Sequence, residues 1–225
     1  YQVFGKGRKG KHSRYGFLGY YYKVGLDSIT QKTAEIQLRR NRRYFKKAQN
    51  FEQISLLYAN SPSNVNYELK NDTGIVHEGD LIISKEVNRS IWSMNGFSSG
   101  KISLSLKAAK SPDFYGVSLD CKQGVAVDNI ALRGSSGAEF TKIDKKYLTQ
   151  QFQSLNVGLI ILQFGLNVVP TESENYKYYE NMMYHQLKLF KEILPDASIL
   201  VISVTDACKS EDESYANIDK VRDAQ

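Results

Sequence analysis

The chain has 225 residues, of which 41% are hydrophobic and 12% aromatic, and it contains only 4 prolines. This length suffices for one large domain or two small ones with a real core, and the composition excludes a disordered chain. No run of about 18 apolar residues occurs, so no transmembrane helix is predicted. The chain opens at Tyr1 without a signal-peptide pattern, and we therefore expect a processed or partial chain.

Positive charge is concentrated near the start of the chain. Residues 1–50 hold 13 Lys and Arg against Asp27 and Glu35, whereas the remainder is slightly acidic and the net charge is +6. We expect this basic segment to contact a protein partner or an anionic polymer. Interleaved Arg and Tyr would also suit nucleic acid, but only charge supports that partner, and we rank it last.

The first fifty residues predict an irregular segment followed by a helix. Residues 1–25 are rich in glycine, basic and aromatic side chains, which is typical of a charged surface segment. Asp27 or Ser28 can cap a helix, and the residues that follow predict one over residues 30–45.

From residue 51 to about residue 120 the pattern predicts β-strands. Six short strand-like runs lie about ten residues apart, which is typical of a β-sandwich. They cover residues 54–58, 65–69, 79–84, 90–94, 101–106 and 115–119.

Two features of this region predict which of its side chains are buried. Ile102, Leu104 and Leu106 alternate with serine, so one face of that strand should be buried and the other wet. The single tryptophan, Trp92, fits a core position; a sugar site formed with His77 is the alternative.

The last hundred residues predict strands alternating with helices. Residues 125–132 and 157–164 are short apolar runs, typical of strands buried on both faces, and residues 199–204 form a third. Such crossovers are right-handed and build a parallel sheet. The side chains that mark the two connecting helices are Phe140, Ile143, Tyr147, Gln151 and Leu155, then Tyr176, Tyr179, Met183, Leu187, Phe190 and Leu194, where Pro195 ends the helix.

Ligands of open parallel sheets bind beyond the carboxyl ends of the strands, and here those ends carry Gly134, Asn167 and Asp206. A glycine lets a main-chain N–H approach a ligand closely, and an asparagine offers a side-chain N–H. Together Gly134 and Asn167 could form an oxyanion hole. The alternative is that Gly134 and Gly165 only make tight turns and Asn167 only caps a helix.

Two motifs at these strand ends resemble the SGNH (GDSL-type) hydrolase family. Residues 128–137, Asp-Asn-Ile-Ala-Leu-Arg-Gly-Ser-Ser-Gly, are similar to its second block, whose glycine supplies an oxyanion N–H. Residues 163–167, Gln-Phe-Gly-Leu-Asn, are similar to its third block, whose asparagine supplies the other donor. The resemblance covers residues 120–225 and implies that Gly134 and Asn167 are catalytic residues.

Other parts of the family pattern are not visible in this chain. Val168 follows Asn167 where many members have Asp, and neither a Gly-Asp-Ser nucleophile block nor a final Asp-x-x-His block occurs. The sequence Gly25-Leu-Asp-Ser28 makes Ser28 a candidate nucleophile, although a helix cap at Asp27 or Ser28 explains these residues more simply.

The resemblance implies an α/β fold: a parallel-sheet, SGNH- or flavodoxin-like domain with an inserted, jelly-roll-like β-sandwich. Residues 1–50 would be the basic segment and a helix of the hydrolase domain, and residues 51–120 the inserted sandwich. Residues 121–225 would be the α/β core, incomplete at its carboxy-terminal end. Certain envelope-associated SGNH proteins have such an insertion, which implies a periplasmic or cell-surface location.

The function implied is that of a serine esterase or acyltransferase acting on O-acyl groups, above all O-acetyl groups of a carbohydrate. The alternative is a non-catalytic binding or assembly subunit of an envelope complex that keeps the hydrolase scaffold and docks through its basic segment. No cofactor is expected.

The remaining reactive side chains give weaker signals. Cys121 and Cys208 are too few for a disulfide framework, and we expect small buried thiols. His12 and His185 lack partners at ligand spacing, so no metal site is predicted. Asp206 could orient a catalytic group or cap a helix.

Overall fold

The computed structural model describes residues 6–7, 16–17, 21–23, 32–39, 51–94, 101–132, 134–211 and 213–225. Contacts divide the chain into two compact units. The sandwich unit comprises Tyr1–Gly16 and Tyr20–Asn129, and the second unit comprises Phe17–Gly19 and Ile130–Gln225. Most of the regular structure is antiparallel β-sheet, with few helices.

The sandwich unit contains two antiparallel sheets, as the short alternating runs predicted. The five-stranded sheet has the order β1-β2-β9-β4-β7, and the four-stranded sheet the order β3-β8-β5-β6. The strands are β1 (Lys6–Gly7), β2 (Tyr21–Tyr22), β3 (Lys32–Arg39), β4 (Gln53–Ala59), β5 (Val65–Asn71), β6 (Gly74–Asp80), β7 (Asn88–Ser93), β8 (Lys101–Ala108) and β9 (Asp113–Asp120).

The core of the sandwich unit lies between these two sheets. Ile102, Leu104 and Leu106 of β8 are almost fully buried, which confirms their predicted alternation with serine. Trp92 is buried as predicted, with its ring centroid 4.8 Å from that of Tyr67 in the other sheet. Each buried aliphatic side chain contributes about 1.5–3 kcal/mol, so this apolar layer holds the two sheets together.

Two secondary-structure predictions from the sequence, one of a helix and one of a strand, were wrong over the residues that the structure describes. A helix was predicted over residues 30–45, but Lys32–Arg39 is strand β3 and pairs with β8 along its whole length. Its apolar residues Ala34, Ile36 and Leu38 recur with period two, the strand signal, and pack on the sandwich core. The run at residues 79–84 was predicted as a strand, whereas the strand there is β6, Gly74–Asp80.

The second unit contains a parallel strand pair and the helices that flank it in sequence. Strand β10 pairs with β11 in parallel, from Leu159 opposite Ser198 to Gln163 opposite Ile202. The elements are a short 3₁₀ turn (Glu139–Lys142), α1 (Lys145–Gln153), β10 (Leu159–Gln163), α2 (Lys177–Ile193), β11 (Ser198–Ile202), β12 (Cys208–Ser210), β13 (Glu213–Ser214) and α3 (Ile218–Asp223).

Both predicted connecting helices are confirmed as α1 and α2. Helix α1 begins after Asp144, whose carboxylate accepts a hydrogen bond from the Tyr147 N–H, a standard N-cap interaction. Helix α2 packs on α1 and on the 3₁₀ turn through aromatic rings: the Phe190 centroid lies 5.9 Å from that of Phe152 in α1 and 5.2 Å from that of Phe140 in the turn. Phe17, distant in sequence, stacks on Phe152 at 5.6 Å.

The predicted parallel sheet is smaller than expected among the described residues. Residues 125–132 form no strand, and Val125 and Val127 are 93% and 88% exposed, so this apolar run lacks the partner strand that pairing requires. Strands β10 and β11 were expected to be buried on both faces. Instead one face is exposed, including Ile161 and Leu200, which lie opposite each other.

Candidate active site

The predicted site begins at the turn formed by residues 134–137. Gly134 is exposed and has φ +75°, a conformation that favours glycine, and a Cβ placed there would meet no atom within 4 Å. The buried Ser135 holds the turn: its hydroxyl accepts a hydrogen bond from the Gly137 N–H at 2.9 Å and donates to the Glu139 carboxylate. Its N–H donates to the Leu132 carbonyl at 3.0 Å. Hydrogen bonds of Ser135 to residues before and after it therefore hold the turn in place.

The second turn follows strand β10 and carries Asn167. Gly165 has φ +112°, and its carbonyl accepts hydrogen bonds from the Val168 and Val169 N–H groups at 2.8 and 3.1 Å. A Cβ on Gly165 would lie 3.0 Å from the Val204 Cβ, so glycine is needed for both backbone conformation and close packing. Val168 and Val169 are buried beneath this turn, while Asn167 itself is exposed. The turn therefore presents the Asn167 side chain outward from an apolar base.

A side-chain hydrogen bond brings the two turns together. The Asn167 Nδ2 donates to the Ser135 main-chain carbonyl at 2.9 Å. Because a carbonyl only accepts, this bond fixes the nitrogen of the amide, not its oxygen, toward the peptide bond between Ser135 and Ser136. The amide has two N–H groups, and the bond to Ser135 uses one of them. This bond joins two turns separated by 32 residues, through the predicted Asn167 amide and the main chain of Ser135, the residue after Gly134.

A second contact between the same turns is apolar. A Cβ on Gly137, which has φ +103°, would lie 2.9 Å from two ring atoms of Phe164. The glycine thus lets the Phe164 ring, at the end of strand β10, pack directly against the main chain of the first turn. The hydrogen bond from Asn167 and this ring contact therefore join the same two turns through different atoms.

Other residues considered from the sequence lie elsewhere or have other partners. Asp206 is exposed and forms an ion pair with Arg222 at 3.0 Å. His185 is exposed beside the Tyr184 ring, and a His77 ring nitrogen lies 2.7 Å from the Ser93 carbonyl oxygen in the sandwich unit. His12, Asp27 and Ser28 fall outside the described residues.

The two cysteines correct a prediction. Cys121 and Cys208 are not joined in a disulfide, and both are exposed, whereas buried thiols were expected. The expectation failed because the segments that carry them, around residues 121–132 and in the short β12 strand, are mostly exposed. Within the described ranges, no group of three or more His, Cys, Asp or Glu side chains is arranged to hold a metal ion.

One ionisable side chain beneath the site is strongly perturbed. Burial raises the pKa of the Tyr179 hydroxyl to about 12, and a hydrogen bond from the Gln225 side chain opposes this shift. The phenol therefore stays neutral throughout the physiological range and acts as a packed hydrogen-bonding group, not as a base.

Sequence reasoning missed Ser135 as the partner of Asn167. The group that accepts the hydrogen bond is a main-chain carbonyl, which no residue type signals. The only available signal was the spacing of Ser135 and Glu139, which are four residues apart and close the turn by a side-chain hydrogen bond.

Comparisons with known proteins give a fold relationship. No protein-family model matches the sequence, and no curated protein matches it. Among solved structures, the chain is similar to a peptidoglycan O-acetylesterase at 11% identity and a TM-score of 0.65. The similarity covers 97% of this chain and 58% of that one, so the chain spans little more than half the length of that protein.

A family 2 carbohydrate esterase from Clostridium thermocellum is a weaker match. It has 12% identity and a TM-score of 0.30, over 84% of this chain and 74% of that one, which is too low to support an argument. The similarity to the peptidoglycan O-acetylesterase, at 11% identity, shows a shared fold and no more.

Among the residues that the structure describes, no helix has the length and apolar character needed to cross a membrane.

Proposed function

We propose that the protein is an SGNH-type serine esterase or acyltransferase that acts on O-acetyl groups of a carbohydrate. The observation that carries this proposal is the hydrogen bond from Asn167 Nδ2 to the Ser135 carbonyl, because it joins the turn bearing one candidate oxyanion donor to the turn bearing the other. The shared fold with a peptidoglycan O-acetylesterase supports the same reaction class.

In this proposal the two donors act on the acyl oxygen. When a serine hydroxyl attacks the ester carbonyl carbon, the carbonyl π electrons move to oxygen and a base takes the hydroxyl proton. The Gly134 N–H and the second Asn167 N–H then donate to the new oxyanion. Fixed donors of this kind cost little reorganisation at the transition state, and removing one typically costs about 3–4 kcal/mol.

The conformation of the first turn fits this role. Gly134 is exposed, and a Cβ placed there would meet no atom within 4 Å, so the turn leaves open space beside this residue for an acyl group. The Ser135 hydroxyl, bonded to the Gly137 N–H and the Glu139 carboxylate, restrains the turn that follows Gly134. The nucleophile and the base belong, by the family resemblance, to blocks that are not visible in this sequence.

The proposed substrate is an O-acetylated polysaccharide, with O-acetylated peptidoglycan as the first one to test, since the protein with the shared fold is named for that substrate. A cell-envelope location would follow from it. The direct test is release of acetate from purified O-acetylated peptidoglycan, with chemically de-O-acetylated peptidoglycan as the matched control.

Labelling of the protein isolated from its native source with a serine-reactive fluorophosphonate separates this proposal from the alternative of a non-catalytic envelope subunit. An esterase takes the label and releases acetate, and prior labelling abolishes the release. A scaffold subunit does neither, and that pair of negative results would exclude the esterase.

A further inference from the structure

The side chain of Gln225 bridges the carboxyl ends of the two parallel strands. Its Oε1 accepts a hydrogen bond from the Val204 N–H at 2.7 Å, beyond the end of β11. Its Nε2 donates to the Phe164 carbonyl at 3.1 Å, directly after β10, and to the Tyr179 hydroxyl at 3.2 Å. The last main-chain pair of the ladder is Gln163 with Ile202, so the glutamine side chain takes the place of the next rung.

This bridge lies at the base of the turn that carries Asn167. The Phe164 carbonyl belongs to the peptide bond that leads into Gly165, and Gly165 accepts the two hydrogen bonds that close the turn. A Cβ on Gly165 would lie 3.3 Å from the Gln225 Nε2, so the two residues are packed against each other as well. Gln225 therefore supports the first peptide of the turn, two residues before Asn167.

The surroundings make the bridge specific to an amide. It needs an acceptor for Val204 and a donor for Phe164 on one short side chain, and a carboxamide supplies both. Tyr179 is completely buried and neutral, so its hydroxyl stays available as a partner for Gln225. A hydrocarbon of the same length would leave the Val204 N–H and the Phe164 carbonyl without this partner, which costs free energy where they are shielded from water.

We infer that Gln225 is a positioning residue for the proposed oxyanion donor Asn167: by joining the ends of β10 and β11 it fixes the turn from which the Asn167 amide reaches Ser135. The inference rests on the proposed function. Gln225 does not touch the substrate; it acts through the peptide at Phe164 and the turn at Gly165. A donor displaced by about 1 Å can lose about 100-fold in rate, so support at the base of the turn matters for turnover.

The test is a double-mutant cycle of Gln225→Met with Asn167→Ala, assayed by acetate release. Methionine keeps the length of the side chain and removes all three hydrogen bonds. We expect Gln225→Met to lower kcat about tenfold with KM unchanged. In the Asn167→Ala background it should change kcat less than twofold, because a positioning residue has no effect once the group it positions is gone. Lys220→Met, an exposed change on the neighbouring helix α3, is the matched control and should leave kcat unchanged.

A spectroscopic readout is independent of activity. The side-chain amide signals of Asn167, assigned by their absence in Asn167→Ala, should shift in the Gln225→Met protein and not in Lys220→Met. If Gln225→Met fails to fold, Gln225→Glu serves instead, since it keeps an acceptor for Val204 and loses the donor to Phe164.

The outcomes separate the inference from the proposed function. If Asn167→Ala leaves kcat unchanged, the proposed function fails. If Asn167→Ala lowers kcat while Gln225→Met changes neither kcat nor the Asn167 amide signals, the positioning role is wrong and the proposed function stands. Equal loss from Gln225→Met in both backgrounds would also overturn the positioning role.

Discussion

Gly137 and Phe164 are in contact so close that a methyl group on the glycine would lie 2.9 Å from two ring atoms of the phenylalanine. The phenylalanine follows strand β10 and the glycine closes the turn after Gly134, so this contact sets how near the two candidate donor turns can come. It is independent of the hydrogen bond made by Asn167.

Gly137→Ala should therefore destabilise the second unit by about 2–4 kcal/mol. A side chain at φ +103° costs about 1 kcal/mol, and overpacking against the Phe164 ring adds about 1–3 kcal/mol. The measurement is urea unfolding followed by the helical circular dichroism signal. Gly158→Ala is the matched control, because a Cβ there meets no atom within 4 Å, and it should change the free energy of unfolding by less than about 1 kcal/mol. Equal effects from the two substitutions would contradict the packing account.

Asn217 should be a second determinant of stability beneath the site. It is buried, and its Nδ2 donates to the Val169 carbonyl at 2.6 Å and also to the Tyr176 hydroxyl. Asn217→Ala leaves the buried Val169 carbonyl without that donor, so we expect a loss of about 1–3 kcal/mol in the free energy of unfolding. Asn181→Ala, an exposed change on α2, should have almost no effect. A loss below 0.5 kcal/mol for Asn217→Ala would refute the role assigned to this bond.

The raised pKa of Tyr179 predicts how the free energy of unfolding of the second unit changes at high pH. Its pKa is about 12 in the folded protein and about 10 when unfolded, so the folded state holds the proton more tightly between these values. Its contribution to stability is fully present below pH 10 and is lost as the pH rises toward 12. Tyr179→Phe should therefore flatten the decline in the free energy of unfolding over this range, by about 3 kcal/mol at most.

The measurement for Tyr179 is denaturant unfolding between pH 9 and pH 12 in the two proteins, with the helical signal as the probe. Tyr184→Phe is the control, since that ring of the same helix is 61% exposed and is not among the groups that shift the Tyr179 pKa, so the decline due to Tyr179 should remain. Parallel declines in all three proteins would show that burial of Tyr179 does not set the alkaline limit.

The sandwich strands were predictable where the alternation was simple. In β8 every second residue, from Ile102 to Leu106, is apolar and buried, so the sequence pattern and the strand agree. The same period is present in β3, but the residue types Asp27 and Ser28 before it predicted a helix cap, and Ala34 is a good helix former. The local sequence therefore favoured a helix, whereas pairing with β8 makes this segment a strand.

The second unit shows a different limit of prediction from sequence. The helix faces of α1 and α2 could be predicted because their buried residues recur every three to four positions. Residues 125–132 have a strand-like composition, but a strand also requires a neighbour, and no sequence pattern specifies that neighbour. The prediction could thus identify the apolar segments but not which of them pair.

The candidate site was predictable in part. The sequence placed Gly134 and Asn167 at the carboxyl ends of two parallel strands; Asn167 does follow strand β10, but no strand leads directly into Gly134 among the described residues. The hydrogen bond to the Ser135 carbonyl, the contact of Gly137 with Phe164 and the bridge by Gln225 depend on main-chain atoms and on residues 27 to 61 positions apart, which a local pattern does not encode.

The central claim, that Asn167 is an oxyanion donor, is tested most directly by the turnover of an acetyl ester in the Asn167→Ala protein. We expect kcat to fall by about 100-fold or more, with the free energy of unfolding nearly unchanged because this side chain is exposed, and with Asn181→Ala retaining full activity. A kcat equal to that of the unaltered protein would contradict the account.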